Sequence, residues 1–459
     1  MSLDPLILSR LQFVWVVAWH IMLPAVTVGL ASFVAFMEAM SFFTGREIYL
    51  RISMFWTRVF SVTFGMGVVS GIVMPFQFGT NWSRYSDATA NIISPMLAYE
   101  GLTAFFLEAG FLGVLLFGRK LVPAWAHLMS ALMVALGTLF STFWILVVNS
   151  WMQTPTGATL VDGRFVPVSW WDIVFSPSFP TRLGHTVAGF YITTGFVVLS
   201  VAAFYLRQGR FVSEARLMLS VTLWLLLALV PLQIFLGDAS GLVTLHHQPA
   251  KLAAIEARWD TGSRIPLTLF AIPDEQEATN HFAIDVPVLG SLILTHDPNG
   301  TVKGLKDFPR SDWPMVIFPF FAFRIMVGIG LLMLAIVVTG NVLRRDDRLY
   351  DHEWFLRVCQ YGVPLGFLAV LAGWVVTETG RQPWTVYGLL RTADSVSPSL
   401  QGWNVVLSLI GYIVTYATIF TGGYAVLSRI IHSGPATQQE DEQVQSGRPS
   451  SPVRPVPGE

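Results

Sequence analysis

Of the 459 residues, 53% are hydrophobic and only 12% are charged, about half the charged content of ordinary soluble domains (~25%). A net charge of −1 gives no indication of a nucleic-acid partner, and none is expected. The single cysteine, Cys359, excludes an intrachain disulfide, a thiolate-held iron–sulfur cluster and a covalent CxxCH haem site, so any redox group must be held by His, Met, carboxylate or packing.

Several separate apolar runs of roughly 20 residues occur, each enough to cross a hydrocarbon core of about 30 Å. The fold class is therefore an all-α polytopic membrane protein; the alternating strands of about 10 residues that a β-barrel needs are absent. Nine transmembrane helices are predicted, at 14–37, 58–78, 95–117, 124–148, 184–206, 217–237, 315–341, 359–378 and 404–429. The start is not basic and the first run is too long for a signal-peptide core, so no signal peptide is expected. Arginines and lysines concentrate in alternate loops, among them Arg46, Arg51, Arg119, Lys120, Arg207, Arg210, Arg216, Arg344, Arg345, Arg348 and Arg357. The positive-inside rule then places the N-terminus outside and the C-terminus in the cytoplasm. Residues 1–432 form the membrane domain. Within it, 238–314 is one long external loop, with a helix-like Lys251–Trp259 and turn-rich stretches at Ile272-Pro273-Asp274 and Asp297-Pro298-Asn299-Gly300. A loop of this length is functional or disordered. Residues 433–459, rich in Pro, Ser, Gln and Glu, read as a disordered cytoplasmic tail. No internal repeat of the transporter kind is visible. The 16 Trp and 34 Phe suit interfacial belts.

Polar residues inside the spans carry the functional signal, because each is costly in lipid. They are His20 in the first span, Glu100 and Glu108 in the third, His185 opening the fifth, Arg324 and Met326 in the seventh, and Glu378 ending the eighth beside Arg381. With alternating span directions, His20, Glu100, His185, Met326 and Glu378 are expected near the outer side at similar depth. Glu108 lies deeper, about 12 Å along the helix from Glu100, which suits a proton relay. His and Met with open faces are haem-iron ligands. Each residue also has an ordinary reading: a helix–helix hydrogen bond for a His, packing for Met326, an interfacial ion pair for Glu378 and Arg381, surface charges for Lys251 and Glu256. His127, His246, His247, His281, His296, His352 and His432 are read as structural or solvated.

Nine stretches together resemble one family, subunit I of the cytochrome bd-type quinol oxidases. They are Ser9–Phe13 (SRLQF) with His20 following, Phe76–Trp82 (FQFGTNW), Glu100–Glu108 (EGLTAFFLE), Trp144–Gln153 with Pro155 (WILVVNSWMQ–P), His185–Tyr191 (HTVAGFY), Gly237–Gly241 (GDASG), Lys251–Trp259 (KLAAIEARW), Phe321–Met326 (FAFRIM) and Gly373–Trp384 (GWVVTETGRQPW). They stand in family order over more than three-quarters of the chain. The resemblance implies a multi-pass subunit of a terminal respiratory oxidase in the bacterial cytoplasmic (inner) membrane. Such an enzyme oxidises quinol at the outer face and reduces O2 to water, with protons from the cytoplasm and without pumping. It implies three non-covalent haems. A low-spin haem b would lie between His185 and Met326. A high-spin haem b and a haem d would take the positions of His20 and Glu378, with assignments left open. Arg324 and Arg381 would counter haem charge, and Trp374 would pack on a haem. Glu100, Glu108 and Ser141 match the proton route and oxygen site; Lys251 and Glu256 match loop residues of quinol oxidation. The external loop lacks the long insertion some members carry. This chain therefore resembles the short-loop, cyanide-insensitive-like form, in which a further haem b replaces haem d in some members. The expected partners are a membrane subunit II and, in some members, a small single-span subunit.

Two other readings compete. A proton-coupled transporter would use Glu100, Glu108 and Glu378 as carriers, but does not account for His20, His185 and Met326, and the broken helices in paired halves are missing. A haem-b anchor that passes electrons without reducing O2 would need the His185/Met326 site but not a separate site at His20.

Overall fold

The computed structural model describes residues 4–345 and 349–435; the predicted disordered tail lies, from residue 436 onward, outside the described residues. Among these, nine helical segments are long and apolar enough to cross a membrane: Pro5–Thr44, Glu47–Thr80, Ser83–Phe117, Ala124–Gln153, Trp170–Gln208, Val212–His247, Ile317–Arg345, Glu353–Thr379 and Gly402–Ser433. Each contains or overlaps one predicted span. The helices run beyond the apolar cores because polar end turns lie outside hydrocarbon and still close backbone hydrogen bonds.

Several spans are broken where the sequence forbids a straight helix. The first consists of α1 (Pro5–Ile21) and α2 (Pro24–Thr44); Pro24 lacks the N–H that would continue α1 and instead starts α2. In the second, α3 (Glu47–Val73) gives way to the short α4 (Phe76–Thr80) at Pro75. The third joins α5 (Ser83–Tyr99), a π-helical turn at Glu100–Phe105 and α6 (Phe106–Phe117). The fourth is an unbroken α7 (Ala124–Gln153). A hairpin of β1 (Ala158–Val161) and β2 (Arg164–Pro167) and the short α8 (Trp170–Val174) lead to α9 (Phe179–Gln208).

The bundle is organised around α9, which packs on α2, α7, α10 (Val212–His247), α14 (Glu353–Gln360) and α15 (Val363–Thr379). Glycines allow these close approaches, as in other membrane bundles. A Cβ at Gly29 would stand 2.4 Å from Thr194 Oγ1, and one at Gly366 would stand 2.6 Å from the Thr193 Cα. The last span, α16 (Gly402–Ser433), packs on α1 and α3.

The segment between the sixth and seventh spans differs from the expected weakly structured loop. Helix α10 runs ten residues past the predicted end, to His247. After Gln248 comes α11 (Pro249–Ile255). Then follow β3 (Gly262–Ser263), a hairpin of β4 (Leu267–Asp274) and β5 (Thr279–Val286), α12 (Leu289–Thr295) and β6 (Thr301–Val302), which pairs with β3. The turn residues read as loop signals are the turns of this small cap: Asp274 Oδ1 accepts from the amides of Gln276 (2.8 Å) and Glu277 (3.1 Å), an Asx turn. Ala253, Ala254, Trp259, Ala271 and Leu305 pack with Val316 and Phe320 at the start of α13 (Ile317–Arg345), so the cap has its own core.

The two ends of the bundle differ in chemistry. At one end the connections interlock: Ser397 N donates to Asn81 O, Tyr387 N to Met152 O, and Arg391 pairs with Asp312. That end includes β7 (Trp384–Val386) and β8 (Leu390–Arg391). At the other end arginines close the helix ends, including Arg51 with Glu214, Arg207 with Glu353, and Arg210 with the His432 carbonyl.

Candidate functional site

Helices α9 and α13 both pack on α10 and α15, and only weakly on each other, so they stand diagonally across a square of four helices. His185 is on α9 and Met326 on α13. Each is backed by a glycine of an intervening helix: a Cβ at Gly237 would lie 3.4 Å from the His185 ring, and one at Gly373 would lie 3.0 Å from Met326 Sδ. The His185 Nε2 faces the Gln233 amide at 3.1 Å, while its Nδ1 is buried without a hydrogen-bond partner. An imidazole nitrogen and a thioether sulfur are donor types that a haem iron takes.

His20 stands where α1 ends against α3. Its Nδ1 is bonded to Ser70 Oγ at 2.8 Å, and Gly71 leaves room for the ring, a Cβ there falling 3.1 Å from Cε1. Fixing one ring nitrogen by a neighbour leaves Nε2 as the nitrogen for a ligand role.

Glu378, at the end of α15, lies in a buried polar network. Its Oε1 accepts from Asn149 Nδ2 at 2.9 Å, and its Oε2 is paired with Arg381. Arg182 reaches the same place, donating through Nη2 to Asn149 Oδ1 and through Nε to Ser150 Oγ at 3.2 Å. Arg381 is 6% exposed, yet its Nε and Nη1 have no partner. Two buried nitrogens with three unspent N–H groups among the described residues suit a carboxylate-bearing ligand. Trp374, half-buried on α15, has no hydrogen-bond or ring partner among the described residues.

Lys251 and Glu256, five residues apart, face different partners. Lys251 Nζ donates to Gln153 Oε1 (3.1 Å), Gln248 Oε1 (3.4 Å) and the Thr377 carbonyl (3.1 Å). It thereby ties α11 to α7 and to the Glu378 turn, passing over Gly380, where a Cβ would meet its Cγ at 2.8 Å. Burial drives the Lys251 pKa well below 10.5, and the nearby positive charges of Arg182 and Arg381 lower it further. Glu256 has its Oε2 3.1 Å from Arg324 Nη2, while its Oε1 is buried and unpartnered. Burial raises its pKa above 4.5, and Arg324 opposes the rise. Arg324 also donates to the Thr268, Ile255 and Phe320 carbonyls and lies 3.6 Å over the Phe320 ring. Every N–H it has is engaged within the protein. Arg324 could counter haem charge only through space, whereas Arg381 has donors to spare.

Helix α7 serves as a ruler for the remaining acids. Asn149 holds Glu378; eight residues earlier Ser141 donates to Glu100 Oε1 at 2.7 Å. Four residues earlier still, Gly137 makes room for Glu108, a Cβ there falling 2.5 Å from Glu108 Cγ. At 1.5 Å per residue, the α7 contact of Glu100 lies about 12 Å, and that of Glu108 about 18 Å, from the contact of Glu378. Glu100 is therefore not level with Glu378, as the span boundaries had suggested, because α5 begins at Ser83 rather than at residue 95. The π turn re-phases the helix so that both acids face α7. Glu108 is 6% exposed and its Oε1 has no partner.

Sequence reasoning missed Arg182, Asn149, Gln153, Gln248, Gln233 and Ser70. Asn149 and Gln153 lay inside the Trp144–Gln153 motif without an assigned partner, and Arg182, Gln248, Gln233 and Ser70 lay outside every motif. His127, read as structural or solvated, is buried in an ion cluster with Glu38.

Fold and site define a multi-pass membrane protein whose donors fit haem. The family model described as "Cytochrome bd terminal oxidase subunit I" matches residues 8–435. The "Cytochrome bd ubiquinol oxidase subunit 1" of Bacillus subtilis (strain 168) is 35% identical over 429 residues, 90% of this chain and 91% of that one. The "Cytochrome bd-II ubiquinol oxidase subunit 1" of Escherichia coli (strain K12) is 30% identical over 511 residues, 96% and 99% of the two chains. The solved structure of bd oxidase from Geobacillus thermodenitrificans superposes with a TM-score of 0.86 at 30% identity, covering 94% of this chain and 99% of that chain. The chain belongs to the cytochrome bd terminal oxidase subunit I family. It is a multi-pass component of a terminal quinol oxidase of the bacterial inner membrane, a haem enzyme in which subunit I works with a subunit II.

Proposed function

We propose that this subunit takes electrons from membrane quinol at its loop-bearing end and delivers them to O2, which is reduced to water with protons drawn from the cytoplasm. Charge separation across the membrane then contributes to the proton motive force without pumping. The arginine-rich end faces the cytoplasm by the positive-inside rule. His185 and Met326 would hold a low-spin haem b. His20 and Glu378 would hold a high-spin haem b and a third haem, d or b. Arg381 would anchor a haem carboxylate and Trp374 would line the pocket. When bound, these groups supply one-electron storage and an iron position open to O2.

The chain's own residues do the acid–base and positioning work. A quinol that loses electrons must lose protons, and Glu256 has one carboxylate oxygen held by Arg324 and the other free to accept. Lys251 ties the quinol-side helix α11 to the Glu378 turn through Gln153 and the Thr377 carbonyl. Glu108 and Glu100, with Ser141, would move protons along α7 toward the oxygen site. The cap over the bundle is compact between α11 and α13, which favours the short-loop form. The 511-residue alignment with the Escherichia coli relative is longer than the 459 residues here, as expected if that relative carries extra sequence. A small single-span subunit would be an additional partner.

The observation that carries the reading is the diagonal pair His185 and Met326, each backed by a glycine. The test is a reduced-minus-oxidised spectrum of the whole complex. His185→Ala and Met326→Leu should remove the low-spin haem b signal while the high-spin signals persist. Retention of the low-spin signal in both variants would refute the ligand assignment, and a colourless parent complex would refute the oxidase reading.

A further inference from the structure

Glu38 is a buried carboxylate that the chemistry above does not use. It sits on α2, 5% exposed, among polar groups from three other segments. Its Oε1 accepts from Ser53 Oγ on α3 at 2.5 Å and from Arg119 Nη2, in the turn after α6, at 2.5 Å. Its Oε2 lies 3.3 Å from Nδ1 of His127 on α7. His127 is 3% exposed, and its Nε2 is 3.1 Å from the Leu115 carbonyl of α6. A carbonyl only accepts, so Nε2 carries a hydrogen. A neutral imidazole has one N–H, so its Nδ1 would then turn a lone pair toward the Glu38 carboxylate. A proton taken up at Nδ1 would make the ring a cation 3.3 Å from that carboxylate, an ion pair that a dry site strengthens. The pair has a place, at Nδ1, for one proton beyond those of a neutral ring and a carboxylate. Among the described residues Arg119 is the charged side chain bonded to the pair; Ser53 and the Leu115 carbonyl add polar contacts.

The position of the pair is as informative as its chemistry. Leu115 is seven residues from Glu108 along α6, and His127 is ten residues from Gly137 along α7, or about 10 and 15 Å. The α6–α7 seam therefore has a proton-holding pair at its arginine-rich end and the unpartnered Glu108 further in.

We propose that Glu38 and His127 form a proton-collecting site at the cytoplasmic end of the α6–α7 seam that loads Glu108. The imidazolium releases its proton toward Glu108 through water in the seam and regains one from the cytoplasm; no electrons move in this step. The inference rests on the reading that Glu108 carries protons to the oxygen site.

The test uses the whole complex, with quinol-dependent O2 consumption followed against pH and haem content read from the spectrum. His127→Gln keeps an amide donor for the Leu115 carbonyl but cannot take up a proton. It should keep its haems and lose turnover across the pH range, without the alkaline fall that loss of the pair's proton gives the parent. Arg119→Gln removes the neighbouring positive charge, and the alkaline fall in turnover should move upward. Glu108→Gln, run in parallel, must slow turnover. If it does not, the proton-route reading fails and this inference falls with it. If Glu108→Gln is slow while His127→Gln and Arg119→Gln both keep the parental pH profile with full haem, the cluster is only a helix clamp and the proposal is overturned. Should His127→Gln lose haem, the pH profile of Arg119→Gln decides alone.

Discussion

At the scale of single residues, the arrangement of Glu256 and Arg324 makes the sharpest demand. A buried carboxylate with one oxygen ion-paired and one open is a base whose strength its partner sets. Burial raises the Glu256 pKa and Arg324 lowers it, so removing Arg324 must raise it further. The base works only when ionised. In Arg324→Gln the acid limb of quinol oxidation should therefore move to higher pH, so that kcat/KM falls most on the acid side and recovers as pH rises. Glu256→Gln should lose about 100-fold at all pH values while the haem spectrum stays normal. Loss of haem in Glu256→Gln would make the residue structural, and an unmoved acid limb in Arg324→Gln would remove the arginine from this role. The sequence supplied Glu256, Lys251 and Arg324 as candidates through their motifs. It could not supply their pairing, because that depends on how α11 and β4 fold back over α13.

At the scale of elements, α7 ties the site together. It is unbroken from Ala124 to Gln153 and meets Glu378, Glu100 and Glu108 in turn through Asn149, Ser141 and Gly137. Both acids on the third span were legible, since acids in an apolar run stand out. The π turn between them was not, because an apolar segment gives no periodic signal that one turn is wider. Its consequence is testable through Gly137. A valine there would need the space of the Glu108 side chain, which its Cβ would approach to 2.5 Å at Cγ. Gly137→Val should slow O2 reduction roughly as much as Glu108→Leu does, with the low-spin haem signal retained. Normal turnover in both variants would mean that protons enter elsewhere.

At the scale of the whole molecule, the nine spans were legible because hydropathy reports what lipid requires of each segment taken alone. How the spans pack was not, because small residues at helix contacts carry no hydropathic signature. The compact cap at 249–316 was hidden for a related reason: its core is mostly alanine, with Trp259 and Leu305, and it closes against Val316 and Phe320. The packing that matters most is around α9, from which His185 projects and which five other helices contact. Gly366 lets α15 lie against α9 so closely that a Cβ would fall 2.6 Å from the Thr193 Cα, a backbone atom with little room to yield. Gly366→Val should therefore push α15 off α9, at a cost of about 1–3 kcal/mol for overpacking. Since α15 also carries Gly373 behind Met326, and Glu378, the displacement should loosen haem as well as the fold. The expected result is a lower temperature for loss of the haem absorption in the intact complex, together with a weakened low-spin signal. Gly328→Ala on α13, where a Cβ would meet nothing within 4 Å, should leave both unchanged. Equal thermal behaviour of the two variants would show that α9 does not set the spacing of the residues proposed to hold haem.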